Sequence, residues 1–186
     1  DLITVAIHSH HFHDSRGGYR GVGLEEGEHL DTNPSIPGYL PVFSRQAIDN
    51  GADIIQGTGV HTLRGIEIYK NRPIFYGLNE FIRQMDVIGL AGRDAPGRAV
   101  GPPGFEEIPV KFESIIAINE FRNNELYEIR LHPIELGYEE EKLARRGIPV
   151  LAPPEVAERI LLRLQTLSEP LGTSIIIENG IGIIRP

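Results

Sequence analysis

The 186-residue sequence contains no cysteine, which excludes disulfide staples and any thiolate-ligated metal site. The absence does not discriminate between compartments, since a cysteine-free protein tolerates both cytoplasm and exterior. Basic residues are the minority, with 18 Lys and Arg against 26 Asp and Glu and a net charge of −8. No cluster of them is available to neutralise phosphates, so a nucleic-acid partner is not expected. Small molecules, peptides and sugars remain as substrates. Long apolar runs are missing too: stretches such as residues 181–184 fall far short of the ~20 residues that span a bilayer. No transmembrane segment is expected in this portion, and no signal-peptide pattern is visible. Asp1 leads almost directly into a strand-like run, an unusual start for a mature protein. Further sequence, as a segment or a separate chain, is therefore expected before Asp1.

What is present is an ordinary globular composition, 40% hydrophobic and 24% charged, enough for one domain or a domain with a small appendage. Residues 2–7 are β-branched and apolar and predict a buried strand, central and parallel. Residues 14–38, rich in Gly, Glu, Asp and Pro, and residues 85–110 read as long loops of the kind that flank sites. Between them, residues 39–50 predict a helix with Leu40, Phe43, Ala47 and Ile48 on one face, stopped by Gly51. Residues 53–56 predict a second buried strand. Hairpins are expected at 64–76, 112–136 and 174–184. Residues 138–146 read as a short exposed helix. Pro153 and Pro154 open a helix whose apolar stripe is Val156, Ile160, Leu164 and Leu167, with Glu155 and Glu158 in its first turns. This order predicts an α/β protein with a mixed sheet, and ligands in such sheets gather beyond the carboxyl ends of strands.

Four of the seven histidines, His8, His10, His11 and His13, fall within six positions at the end of the first strand. In extended chain His8 and His10 share a side, and imidazoles gathered there suit a borderline divalent metal or acid–base work. The plainer alternative is a solvated polar loop, and His13 is the weakest candidate. His61 follows the second strand in Gly57-Thr58-Gly59-Val60-His61, where glycines permit positive φ and close backbone approach; a locally hydrogen-bonded turn histidine is its plainer reading. His29 and His132 read as structural or solvated. Asp14 adjoins the cluster, Asp53 reads as a turn residue, Glu67 as part of an exposed strand face, and Glu80 as a helix N-terminal acid. None of these four is singled out.

The stretch AIDNGADIIQGTGVHTLRGIEIYKNRPIFYGLNEFIRQ resembles a signature of the bacterial capsule-synthesis family associated with poly-γ-glutamate, part of the calcineurin-like metallophosphoesterase superfamily. Residues 51–81 match most of a segment similar to AGAD-strand-GHGPH-x-L-x-GIE-x-Y-x-x-x-PIFYSLGNF. The upstream IHSH, with His8 and His10, is similar to the family's strand-ending histidines, and residues 152–186 are similar to the ends of its members. Two departures stand out: Thr58 where the family has the first His of its GHxxH loop, and Gly77-Leu78-Asn79-Glu80-Phe81 where it has SLGNF. The superfamily's N-terminal Asp and Asn ligand motifs are absent from this sequence.

The resemblance implies a layered α/β/β/α fold, with a mixed sheet in residues 1–136 as the C-terminal half of a metallophosphoesterase-like domain. Residues 137–186 are then a helix–hairpin appendage packed on it. It implies metal-dependent hydrolysis of an amide, peptide or phosphoester, on a peptide or poly-amino-acid substrate. His8, His10 and His61 would be metal ligands, His10 alternatively the catalytic proton donor, and the ion Zn²⁺, Mn²⁺ or Fe²⁺. Peptide epimerisation and a catalytically silent polymer-binding scaffold are the alternatives.

Overall fold

The computed structural model describes residues 1–9, 34–83, 109–142 and 144–186. Two sheets and two helices make up the regular structure of these residues, an α/β protein. In the first sheet β1 (Thr4–Ser9) runs parallel to β2 (Ile54–Gly59), and β2 runs parallel to β4 (Arg72–Phe75). β3 (Ile66–Tyr69) closes the order β1-β2-β4-β3 as an antiparallel partner of β4. The β3–β4 turn is Lys70-Asn71, both at positive φ (47° and 57°), as a two-residue hairpin that follows the strand twist requires. The second sheet is antiparallel, with β5 (Glu113–Arg122), β6 (Glu125–Glu135), β8 (Ile176–Glu178) and β9 (Ile181–Ile184) in the order β5-β6-β9-β8. The short β7 (Val150–Leu151) pairs with the end of β6. Asn123-Asn124 and Asn179-Gly180 make its tight turns, again at positive φ.

The helix α1 (Tyr39–Asp49) packs Leu40 and Ile48 against Ile55 and Ile74 of the first sheet. Its buried line is Leu40, Ser44 and Ile48, while Phe43, expected inside, is largely exposed. Helix α2 (Pro154–Ser168) buries Ala157, Ile160, Leu161 and Leu164. Ile160, Leu161 and Leu164 join Leu63 from the chain before β3, Ile66 and Phe75 from the first sheet, and Ile115, Ile129 and Leu131 from the second in one core. The two sheets are therefore held together by shared side chains, and α2 seals the seam. No helix among the described residues is long and apolar enough to cross a membrane.

Three expectations are corrected. β1 is parallel, but among the described residues it is an edge strand, and its residues alternate between exposed and half-buried up to Ser9. A β-branched run reports strand propensity and one buried face, not the number of neighbouring strands. Here Val5 and Ile7 meet the α1 core while Thr4, Ala6 and His8 face outward. The described part of residues 138–146 forms turns rather than a helix. Gly137 and Gly147, at φ 65° and 86°, bracket it, and Gly147 closes it by donating its N–H to the Leu136 carbonyl at 2.7 Å. A glutamate run at 139–141 offers no apolar stripe to hold a helix down. Glu67, expected on an exposed face, is 4% exposed, for reasons given in the Discussion.

Candidate functional site

The carboxyl ends of β1 and β2 lie side by side, with His8 opposite Thr58 and Ser9 opposite Gly59. His8 is exposed, and its Nδ1 lies 3.3 Å from Thr58 Oγ1. Gly59 sits at φ 103°, where a Cβ would come within 3.0 Å of the Ser9 backbone. That combination is open only to glycine, and it turns the chain sharply toward Val60 and His61. Ser9, itself buried, shares a 2.5 Å hydrogen bond with the hydroxyl of Tyr39 at the start of α1.

Past the turn, the chain is pinned to residues 77–78 by the N–H of Arg64 donating to Gly77 O and by a bridge between Leu63 and Leu78. This brings residue 80 over residue 61. His61 Nδ1 lies 2.8 Å from Glu80 Oε1, with the two side chains only about a quarter exposed. The carboxylate sits at ion-pair distance rather than on the ring N–H axis. Its other oxygen pairs with the guanidinium of Arg83, which is buried. Burial alone would push the Glu80 carboxyl up, but His61 and Arg83 together outweigh it and hold the group below its ordinary range.

The shell around this pair is tied in at several points. Asn79, at φ 66°, donates its side-chain amide to the carbonyls of Val110, Lys111 and Glu113. Ser114 Oγ donates to Leu78 O at 2.7 Å. Arg83 donates its backbone N–H to Gly147 O and lays its guanidinium 5.8 Å from the Phe112 ring centre. Beneath His61, the fully buried Thr62 accepts from Arg163 of α2 at 2.9 Å. Burial draws the Arg163 guanidinium below its ordinary value, with Glu113 pulling the other way. Arg64, also fully buried, is likewise drawn down by burial against the opposing effect of Tyr39; it remains a cation at neutral pH.

Of the residues singled out in the sequence, His8 and His61 thus sit at the ends of neighbouring parallel strands. His10, His11, His13, Asp14 and His29 lie outside the described residues, as do most of the two long loops. Sequence patterns missed Glu80, Arg83, Thr62 and Arg163, whose partners are up to 101 residues away. The available signal for Glu80 was the departure Gly77–Phe81, where an acid stands in an otherwise familiar run.

Imidazole is a good ligand for Zn²⁺, Mn²⁺ or Fe²⁺, and a ligating histidine characteristically sets its second ring nitrogen on a carboxylate. His61 has a carboxylate beside Nδ1, at 2.8 Å but off the ring N–H axis. No three His, Asp or Glu side chains converge among the described residues.

Residues 30–85 match the family described as bacterial capsule synthesis protein PGA_cap. Two curated relatives, the uncharacterized proteins y4sH and y4uA of Sinorhizobium fredii (strain NBRC 101917 / NGR234), are each 44% identical to this chain over 166 residues. The matches cover 77% of this chain and 36% of each relative. The chain therefore spans little more than a third of the length of these relatives.

Proposed function

From the match of residues 30–85 to the bacterial capsule synthesis protein family, we propose that this chain is the C-terminal portion of a metal-dependent hydrolase acting on a peptide or poly-amino-acid. Residues 1–136 would be half of a layered metallophosphoesterase-like domain, with 137–186 packed on it. The observation that supports this reading best is the His61–Glu80 pair at 2.8 Å, just beyond the end of the strand beside the one bearing His8. A divalent ion bound there would lower the pKa of a coordinated water to about 7 and so supply a hydroxide nucleophile near neutral pH. The chain's own part is to present ring nitrogens of His8 and His61, with His10 as a further ligand or proton donor. Thr62, Arg163 and Asn79 keep the His61 turn from shifting, which matters because ligand geometry tolerates displacements of only a few tenths of an ångström.

One observation favours a silent polymer-binding scaffold instead. Thr58 occupies a position where the family signature has a histidine, and its hydroxyl lies against His8 and the Ile7 carbonyl. Elemental analysis after incubation with Zn²⁺ or Mn²⁺, together with hydrolysis of poly-γ-glutamate, separates the two. Metal uptake and chain cleavage, both lost in His61→Ala, support the hydrolase. Binding of the polymer without metal or cleavage supports the scaffold.

A further inference from the structure

We infer that Glu80 is a positioning residue that sets the tautomer of His61, placing the proton on Nδ1 and leaving Nε2 as the basic nitrogen. The inference deepens the metal-site reading above and takes from it the idea that His61 presents a nitrogen to a ligand. Its own basis is geometric. An ionised carboxylate oxygen 2.8 Å from Nδ1 attracts a proton on that nitrogen and repels a lone pair there, in a site where low exposure strengthens both effects. A neutral imidazole carries one proton, so Nε2 is then bare.

The carboxylate is held in place from behind. Arg83, buried, grips the second oxygen, and is itself fixed by its backbone bond to Gly147 and by Phe112 under its guanidinium. Phe112 also packs edge-on to Tyr138 at 5.5 Å. The orientation of His61 is thus anchored through Glu80 and Arg83 to the segment that follows β6.

The test is the tautomeric state of His61 in the full chain, read by long-range ¹H–¹⁵N correlation above the histidine titration. The wild type is expected in the Nδ1–H form. Glu80→Ala should move it toward the Nε2–H form that free histidine favours, and Glu80→Gln, which keeps the shape but removes the charge, should move it in the same direction. A wild-type His61 already in the Nε2–H form overturns the inference without any variant. So does a spectrum unchanged in a folded Glu80→Ala protein. Zn²⁺ titration supplies the second readout: affinity should fall roughly 10–100-fold in Glu80→Ala, the usual effect of losing a carboxylate behind a ligating histidine, and should fall in Glu80→Gln as well. Equal affinity in wild type and Glu80→Ala overturns the positioning role. No Zn²⁺ uptake by the wild type, alongside a Glu80-dependent tautomer, overturns the hydrolase reading and leaves the tautomer assignment standing.

Discussion

Tyr76 donates its hydroxyl to Glu67 at 2.5 Å, within the hairpin β3–β4 and its exit, where both residues are almost fully buried. The other carboxylate oxygen of Glu67 meets Arg45 of α1 at 2.8 Å. Strand alternation does put Glu67 and Tyr69 on one face, as the sequence indicates. That face is covered by α1, so the acid is buried and paired instead of solvated.

Replacing Tyr76 by Phe should therefore cost about 1.5–3 kcal/mol, the range for a hydrogen bond to a charged group, as read by urea unfolding. The pH dependence adds a check. Burial first, and then the Glu67 carboxylate, push Tyr76 ionisation above its ordinary range, with Arg45 acting the other way. A raised folded-state pKa contributes stability that is present below the ordinary tyrosine value of about 10 and is lost as pH climbs above it. Wild type should lose stability on the alkaline side, and Tyr76→Phe should lose less.

Glu80 has the opposite sign. Its carboxyl is held below its ordinary range in the folded protein, so its contribution is present above the ordinary carboxylate range and disappears as pH falls through the lowered value. The stability difference between wild type and Glu80→Gln should be widest at neutral pH and close in acid. A difference that does not change with pH would contradict the ion pair between Glu80 and Arg83.

Gly57 lies where a Cβ would come 2.5 Å from the carbonyl oxygen of Tyr76. Gly57→Ala should prise β2 from the end of β4 and cost about 1–3 kcal/mol, as overpacking does. Gly38→Ala, at a position with nothing within 4 Å of the added carbon, is the control and should stay within about 0.5 kcal/mol. Thermal unfolding of both variants decides the matter.

His61→Ala and Ile160→Ala should separate function from stability. Ile160 is fully buried in the core shared by both sheets, and its truncation should cost ~2–5 kcal/mol through lost burial and a residual cavity. His61 is partly exposed, and Glu80 keeps Arg83 as a partner when the imidazole is gone, so roughly 1 kcal/mol is expected. Metal uptake should show the reverse order, lost in His61→Ala and retained in folded Ile160→Ala. Full metal occupancy in His61→Ala would remove His61 from the ligand set.

Much of the architecture was legible in the residues alone because its signals are local. Asn71, Asn123-Asn124 and Asn179-Gly180 announce their hairpins as residues that tolerate positive φ, and Pro153-Pro154 with the spacing of Ile160 and Leu164 announces α2. The placement of His8 and His61 was legible for a similar reason: His8 lies at the end of one short apolar strand and His61 just past the end of another, and parallel strands deliver their carboxyl ends to the same edge. Gly57 and Gly59 were also marked as places of close approach; both lie in β2, and what approaches Gly57 is the protein's own Tyr76 carbonyl.

The rest depended on which segments meet across long stretches of chain. Nothing near residue 80 says that its acid faces His61, since that contact needs the Leu63–Leu78 bridge and the Asn79 bonds to residues 110–113. Nothing near residue 163 says that its guanidinium supports Thr62. Composition indicated that residues 2–7 would form a strand, but only tertiary packing decided that β1 has a single partner among the described residues, and only α1 made Glu67 a buried acid. Local propensity is set by a residue and its neighbours along the chain. Burial, ion pairing and the orientation of His61 are set by neighbours in space, which the sequence specifies only through the completed fold.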